Sequence, residues 1–157
     1  MPDHRPPRGM TGERDTMMAL LQFQRESLVR KVTGVDRAAA ARSPVPSGIT
    51  LLWLVKHLTV AEQLWFLARF AGQHVDQRDE MVTDDDTVES LARSYEEAWT
   101  RVDAVIAAAD LDELTRKPDS RGPVSLRWVL AHMLEETARH AGHADILREL
   151  IDGETGR

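Results

Sequence analysis

Cysteine is absent from all 157 residues of the sequence. Without a thiol the chain cannot form disulfides, bind a structural zinc ion through cysteine, or attack a substrate with a thiolate of its own. Any thiol chemistry would therefore depend on a thiol supplied from outside the protein.

The sequence also lacks a cluster of lysine and arginine interleaved with aromatic residues, the pattern typical of nucleic-acid binding. It contains 20 basic and 26 acidic residues, which gives a formal net charge of −6. An acidic protein is not drawn to a phosphate backbone, so nucleic acid is not expected as a partner.

An apolar segment of the signal-peptide type is missing from the start of the sequence, MPDHRPPRGM. The most apolar run, residues 51–70, has the length of a membrane span. It carries charged or titratable side chains at Lys56, His57, Glu62 and Arg69. Because such side chains are costly in lipid, we expect no membrane contact and a cytoplasmic location. Residues 1–12 are expected to form a mobile extension, and 13–157 a single domain.

Four long segments show the spacing of apolar residues by three and four that is typical of amphipathic helices. They run from Glu13 to about Val32, from Thr50 to about Ala71, from Asp86 to about Asp110 and from Ser125 to Gly153. Thr50 and Ser125 can cap their helices, and Asp86 followed by Glu89 resembles a capping box. With no strand pattern, the sequence predicts an all-α four-helix bundle. The long link between the second and third helices permits an up-down or a crossover topology.

The predicted helices contain four tryptophans, at Trp53, Trp65, Trp99 and Trp128. We expect these large side chains to anchor the core rather than to form a cage around a substrate. Tyr95 and Arg139 are placed where they could reach a pocket, although Arg139 is equally placed to pair with Glu135 on the helix surface.

The last predicted helix carries His132, Glu136 and His140 at intervals of four residues. Residues four apart share one helix face, with about 5–6 Å between their Cβ atoms, so Glu136 and His140 can bind one metal ion together. A third ligand must come from another helix, and His57 is the best candidate because it lies in the most apolar helix. Two imidazoles and one carboxylate leave a fourth position open, as in catalytic zinc sites.

Each of these residues alone has a simpler interpretation as a packed, hydrogen-bonded core side chain. Their combination favours a metal site, because helix bundles build such sites from facing helices. His132 could replace Glu136 as a ligand, but a role in packing or as hydrogen-bond partner of a ligand imidazole is favoured. His143 and Arg139 could line the mouth of the site and orient a substrate, and a partly exposed surface position is equally compatible with His143.

The segments HLTVAEQLWF and HMLEETARHAGHADILRELIDG resemble the second and fourth helices of the DinB-like superfamily of metal-dependent bundles. The likeness extends from about Glu13 onward. Within the superfamily, the sequence most resembles the branch that includes mycothiol-dependent maleylpyruvate isomerase. The metal ligands of that family fall on His57, Glu136 and His140. Many relatives have histidine in place of Glu136, and commonly glutamine in place of His143. The isomerase has an additional C-terminal domain, so the resemblance is expected to cover its metal-binding domain only.

This resemblance implies a divalent metal and, in some members, activation of a thiol such as mycothiol or bacillithiol for transfer onto an electrophile. Zinc is the expected metal, and nickel, iron and manganese are also compatible with the ligands. The expected function is a metal-dependent thiol S-transferase or isomerase that uses mycothiol and a small electrophile, in a chain that could form a homodimer. Two alternatives stay open: a hydrolase that activates water at the metal, and a non-enzymatic metal-binding or stress-related bundle.

Overall fold

The computed structural model describes residues 4–76 and 79–155. These ranges contain five helices: α1 (Glu13–Val32), α2 (Arg37–Ala41), α3 (Leu51–Glu62, continued by a π-helical segment, Gln63–Phe70), α4 (Val88–Ala108) and α5 (Leu126–Asp152). Within them no strand forms, and only isolated bridges occur before α5. The predicted all-α bundle is confirmed. Parts of three predicted segments lie outside the described residues: 1–3 of the N-terminal extension, 77–78 of the long link between the second and third helices, and 156–157 of the domain.

The helix ends lie close to their predicted positions because the capping residues act as expected. The side chain of Thr50 accepts a hydrogen bond from the backbone N–H of Trp53, and that of Ser125 accepts one from Trp128. Gly153 ends α5 with a φ of 79°, a left-handed conformation that glycine adopts without strain.

The start of α4 differs from the prediction. Thr87 rather than Asp86 caps the helix, and Ser90 rather than Glu89 completes the capping box. Asp86 instead accepts a hydrogen bond of 2.7 Å from the Nζ atom of Lys56 on α3. Its carboxylate is therefore held by a long-range ion pair and turned away from the helix end.

Contacts near the helix ends determine how α1 and α5 are arranged. Arg127, at the start of α5, pairs with Glu13, at the start of α1, at 2.8 Å. Lys31, at the end of α1, pairs with Asp145 in the second half of α5. The first and last helices of the bundle therefore run parallel.

The other two long helices, α3 and α4, are also parallel to each other. Lys56 near the start of α3 pairs with Asp86 just before α4, and Glu62 further along α3 is bonded to Tyr95 further along α4. Because α3 and α4 follow each other in the sequence, the long link between them must return along the bundle. The topology is thus the crossover alternative.

Buried side chains of all these helices form one hydrophobic core, to which α3 contributes five fully buried leucines and valines in its first eight residues, at Leu51, Leu52, Leu54, Val55 and Leu58. Trp99 lies in this core as expected, but Trp128 is 40% exposed, so the prediction that it anchors the core is wrong. Among the described residues, no helix combines the length and apolar character needed to cross a bilayer.

Candidate metal centre

The three predicted metal ligands, His57 on α3 and Glu136 and His140 on α5, lie together in the groove between these helices. Each side chain offers one ligand atom, and the three atoms lie within 4.8 Å of one another. The Nε2 atom of His140 is 3.0 Å from the Oε1 atom of Glu136, and the Nε2 atom of His57 is 3.5 Å from the same oxygen. Two imidazole nitrogens thus converge on one carboxylate oxygen.

The spacing and chemistry of these atoms suit a single divalent ion. In a tetrahedral zinc site with ligand distances of about 2.0–2.2 Å, neighbouring ligand atoms lie about 3.3 Å apart, close to the two distances around Glu136. The exposed fractions of the side chains are 19% for His57, 21% for Glu136 and 11% for His140. The site therefore lies at the edge of the core, where a substrate can reach it from solvent.

Trp53 holds the two imidazoles in place. Its ring stacks on His57 with 4.7 Å between centroids and a tilt of 13°, and its edge faces His140 at 6.0 Å. The two imidazoles are 4.9 Å apart and nearly perpendicular. Because the rings are already held by this packing, they lose little conformational freedom when they bind a metal ion, and this favours binding.

Each ligand imidazole also has a neighbour at its other nitrogen. The Nδ1 atoms of His140 and His143 are 3.2 Å apart. The Nδ1 atom of His57 lies 3.1 Å from the Oε2 atom of Glu80, but the contact lacks hydrogen-bond geometry, and this nitrogen has no hydrogen-bond partner among the described residues. Glu80 thus lies where a carboxylate commonly accepts a hydrogen bond from the second nitrogen of a metal-binding histidine.

Sequence reasoning missed Glu80, because it lies in the acidic loop between α3 and α4 and resembles its solvated neighbours. No periodicity marks a single loop residue that folds back over a helix. The sequence placed His143 either at the mouth of the site or at a partly exposed surface position, and in the structure it is half-buried and lies directly against His140. A Cβ atom added at Gly142, the residue before it, would meet nothing within 4 Å, so no neighbouring segment of the chain requires glycine there.

Two of the ligands, Glu136 and His140, have lowered pKa values that suit metal binding at neutral pH. Burial disfavours the charged form of Glu136, but attraction to His140 and the hydrogen bonds from both imidazoles outweigh burial and lower its pKa. Burial also lowers the pKa of His140, and attraction to Glu136 offsets this only in part. Glu136 is therefore a carboxylate and His140 a neutral imidazole, the forms in which both bind metals.

Arg139 lies at the mouth of the site. Its guanidinium pairs with Glu135 at 3.0 Å, as the sequence alternative predicted, and also lies 3.5 Å from the Oε2 atom of Glu136. His132 has different neighbours, since its ring stacks on Trp128 at 4.9 Å and meets the edge of Trp65 at 5.0 Å. Of its predicted roles, the structure thus shows packing.

A second charged cluster lies deeper in the bundle and was not predicted. Glu62 on α3 accepts hydrogen bonds of 2.8 and 2.5 Å from the guanidinium of Arg25 and one of 3.1 Å from the hydroxyl of Tyr95. Arg25 donates another to Asp103 at 2.9 Å. Tyr95 is fully buried, so the expectation that it reaches a pocket is wrong. This cluster joins three helices; Arg25, Glu62 and Tyr95 are closed to solvent, and Asp103 lies at its edge with 40% of its side chain exposed.

Comparisons with known proteins identify a family and a similar fold. The model of the mycothiol-S-transferase family, part of the DinB-like superfamily, matches residues 16–153. The fold is similar to the crystal structure of the conserved protein of locus from Enterococcus faecalis, with a TM-score of 0.68 and 17% identity over 92% of this chain and 100% of that one. This likeness shows the fold alone. No curated protein matches the chain.

Proposed function

The chain belongs to the mycothiol-S-transferase family, whose members are metal-dependent transferases acting on electrophiles, and on this premise we propose that His57, Glu136 and His140 hold its metal. The observation that carries the proposal is the convergence of three ligand atoms within 4.8 Å at the edge of the core. The absence of cysteine supports the use of an external thiol, because the nucleophilic sulfur must then come from the thiol substrate.

A divalent cation held by His57, Glu136 and His140 would supply Lewis acidity, which would lower the pKa of a thiol from its ordinary value of about 8.5 so that its proton is lost to solvent. The donor set suits this task, since two neutral imidazoles and one carboxylate cancel only one of the two positive charges. Glu136 stays ionised and His140 stays neutral because of their lowered pKa values, so both can serve at neutral pH.

The residues beside the ligands are proposed to position the reactants. Arg139 is 56% exposed and lies 3.5 Å from Glu136, where its charge can attract an anionic group of a substrate. His143 contacts His140 and fixes the orientation of that ring. Trp53 packs against both imidazoles, and the parts of the rings that stay exposed are left for the thiol.

Finer parts of the proposal concern the metal, the compartment and the assembly. Zinc is proposed because two nitrogens, one oxygen and an open position are typical of catalytic zinc. A cytoplasmic location is proposed because that compartment keeps small thiols reduced. A homodimer through α5 is proposed because Ile146 and Leu150 are 56% and 55% exposed and lie one turn apart. Analytical ultracentrifugation tests this proposal: the wild type should sediment as a dimer and the Ile146→Glu variant as a monomer.

The metal assignment is tested with His57→Ala and His140→Ala, compared with His74→Ala as a control, whose side chain is 91% exposed. Elemental analysis should find about one divalent metal per chain in the wild type and control and none in the two ligand variants. Mycothiol-dependent conversion of an electrophile such as chlorodinitrobenzene should disappear with the metal. Full metal content in both variants, or undiminished turnover after metal loss, would contradict the proposal.

A further inference from the structure

A cleft of about 180 Å³ opens between the end of the π-helical segment and the start of α5. Its walls include two tryptophans, two arginines and one aspartate, at Trp65, Arg69, Asp119, Arg121 and Trp128. We call it the aromatic cleft. Complete ligand pockets have about 300–1,000 Å³, so the aromatic cleft can hold one ring of a larger molecule rather than the whole of it.

The backbone holds the aromatic cleft in shape. The N–H groups of Arg116 and Lys117, in the connector before α5, donate to the carbonyls of Phe70 and Arg69 at 3.1 and 2.9 Å. Gly72 has a φ of 67°, and a side chain there would lie 3.3 Å from the Cβ atom of Arg116. The connector is thus fastened closely to the end of the π-helical segment, and it supplies one wall of the cleft.

The π-helical segment aligns the aromatic cleft with the metal centre. In an α-helix, Trp65 and Arg69 would be rotated from His57 by about 80° and 120° around the axis. Because π-helical hydrogen bonds run to the fifth residue, each turn from Gln63 onward takes more residues, and this rotation is reduced. Trp65 therefore faces α5, where it meets Trp128 at 5.2 Å.

A row of side chains along α5 connects the aromatic cleft with the metal centre. His132 stacks on Trp128 in the cleft and is followed one turn later by Glu136 of the metal centre. Trp128 precedes Glu136 by eight residues, which corresponds to about 12 Å along the helix. One extended ligand can therefore occupy the metal centre and the aromatic cleft at the same time.

The chemistry of the aromatic cleft fits a hydroxylated ring. The guanidinium of Arg69 lies over Trp65 at 4.3 Å, and both Arg69 and Arg121 contact Asp119, at 3.2 and 3.4 Å. Trp128 exposes 40% of its surface. Aromatic faces can pack against the C–H groups of a sugar or cyclitol, while guanidinium and carboxylate groups bond its hydroxyls.

We propose that the aromatic cleft binds the terminal polyol ring of mycothiol while the sulfur of the same molecule lies at the metal centre. Mycothiol is a cysteine derivative whose amide-linked amino sugar carries an inositol, so its thiol and its last ring are far apart. This inference rests on the proposed function for the position of the sulfur, but binding of the ring itself needs neither metal nor turnover.

The first experiment measures binding of the glucosaminyl-inositol disaccharide, which has no thiol, by tryptophan fluorescence and calorimetry. Wild type and the ligand variant His57→Ala should bind it equally. Trp128→Leu and Arg121→Gln should each weaken binding by about tenfold or more, because a stacking face or a charged hydrogen-bond donor is lost. Arg101→Gln, which changes an exposed arginine on α4, should bind like the wild type.

The second experiment compares turnover with mycothiol and with N-acetylcysteine, which lacks both rings. The kcat/KM for mycothiol divided by the kcat/KM for N-acetylcysteine should fall about tenfold or more in Trp128→Leu and in Arg121→Gln. Failure of the wild type to bind the disaccharide, or wild-type binding by both cleft variants, would overturn the proposal and leave the metal assignment intact. A rise in KM for the electrophile alone would also overturn it, since the cleft would then serve the other substrate.

Discussion

Glu62 and Glu136 are carboxylates inside the same bundle, and each is flanked by two side chains that donate hydrogen bonds. Glu62 is fully buried and pairs with Arg25, whereas Glu136 is 21% exposed and pairs with His57 and His140. Burial alone would lower the pKa of Arg25, but attraction to Glu62 and their hydrogen bonds raise it above its ordinary value. Arg25 therefore keeps its proton and offers no lone pair.

The difference shows what makes a carboxylate in a bundle available to a metal. At the Oε1 atom of Glu136 the partners are imidazoles, which can be neutral and can donate lone pairs to a cation, while Arg139, 56% exposed, lies at the Oε2 atom. Around Glu62 a permanent cation already satisfies the charge, and solvent has no access. α3 contributes to both clusters, with His57 facing α5 and Glu62 facing α1 and α4. One helix thus supports the fold on one side and the chemistry on the other.

Removing Glu62 should have the largest effect on stability. Glu62→Leu removes the buried partner of the Arg25 guanidinium and leaves it only the partly exposed Asp103, which costs about 3–5 kcal/mol of unfolding free energy. Glu136→Gln should cost much less, because this residue is partly exposed. Urea unfolding of both variants measures the two costs.

The double variant Arg25→Met/Glu62→Leu serves as control, since it removes both charges and should recover most of the lost stability. Folded Glu62→Leu should still bind metal with wild-type stoichiometry. Equal destabilisation by Glu62→Leu and Glu136→Gln would contradict the conclusion that Glu62 supports the fold and Glu136 does not.

The partners of the ligand imidazoles should have an intermediate effect, on metal affinity rather than stability. His143→Ala removes the neighbour of His140, and such partners typically change metal affinity by about 10–100-fold. Glu80→Gln should weaken affinity less, because Glu80 is 40% exposed and contacts His57 without hydrogen-bond geometry. Competition with a chelator measures both affinities, with His74→Ala as control. Wild-type affinity in His143→Ala would show that the contact between the two rings does not support the ligand.

Acidification should have the smallest effect on stability, and its sign follows from the ligands. The pKa of His140 is lowered below its ordinary 6.5, so below that pH the unfolded chain binds more protons than the folded one, and stability falls as pH falls. Glu136, whose pKa is lowered from 4.5, adds a loss in the same direction at lower pH. Thermal melts of metal-free protein between about pH 7 and pH 5 should show this loss. The His140→Ala variant should lose less stability than the wild type over this pH range. An identical pH dependence of the two proteins would contradict the conclusion that the pKa of His140 is lowered by folding.

Local rules account for the parts of the structure that the sequence predicted. Apolar spacing and single capping residues determine the four long helices, with Thr50, Ser125 and Gly153 at their ends. The convergence of His57 on Glu136 and His140 follows from their helix faces. Whether these residues bind a metal stays a prediction until metal content is measured.

Long-range partners decide the features that the sequence did not predict. Arg25 interrupts the apolar stripe of α1, yet it is buried because Glu62, 37 residues away, neutralises it. Asp86 is withdrawn from its capping role by Lys56. The connector before α5 is hydrogen-bonded to the end of the π-helical segment and lines the aromatic cleft together with Trp128, and periodicity along one helix does not report such contacts.

X-ray absorption at the edge of the bound metal tests the central claim most directly, first on the resting protein and then with mycothiol added. The account predicts a first shell of imidazole nitrogens and carboxylate oxygen, to which mycothiol adds one sulfur at about 2.3 Å, as expected for zinc. Neither shell should be seen in His57→Ala or His140→Ala. A metal shell that gains no sulfur from mycothiol, or that is unchanged in both variants, would contradict the account.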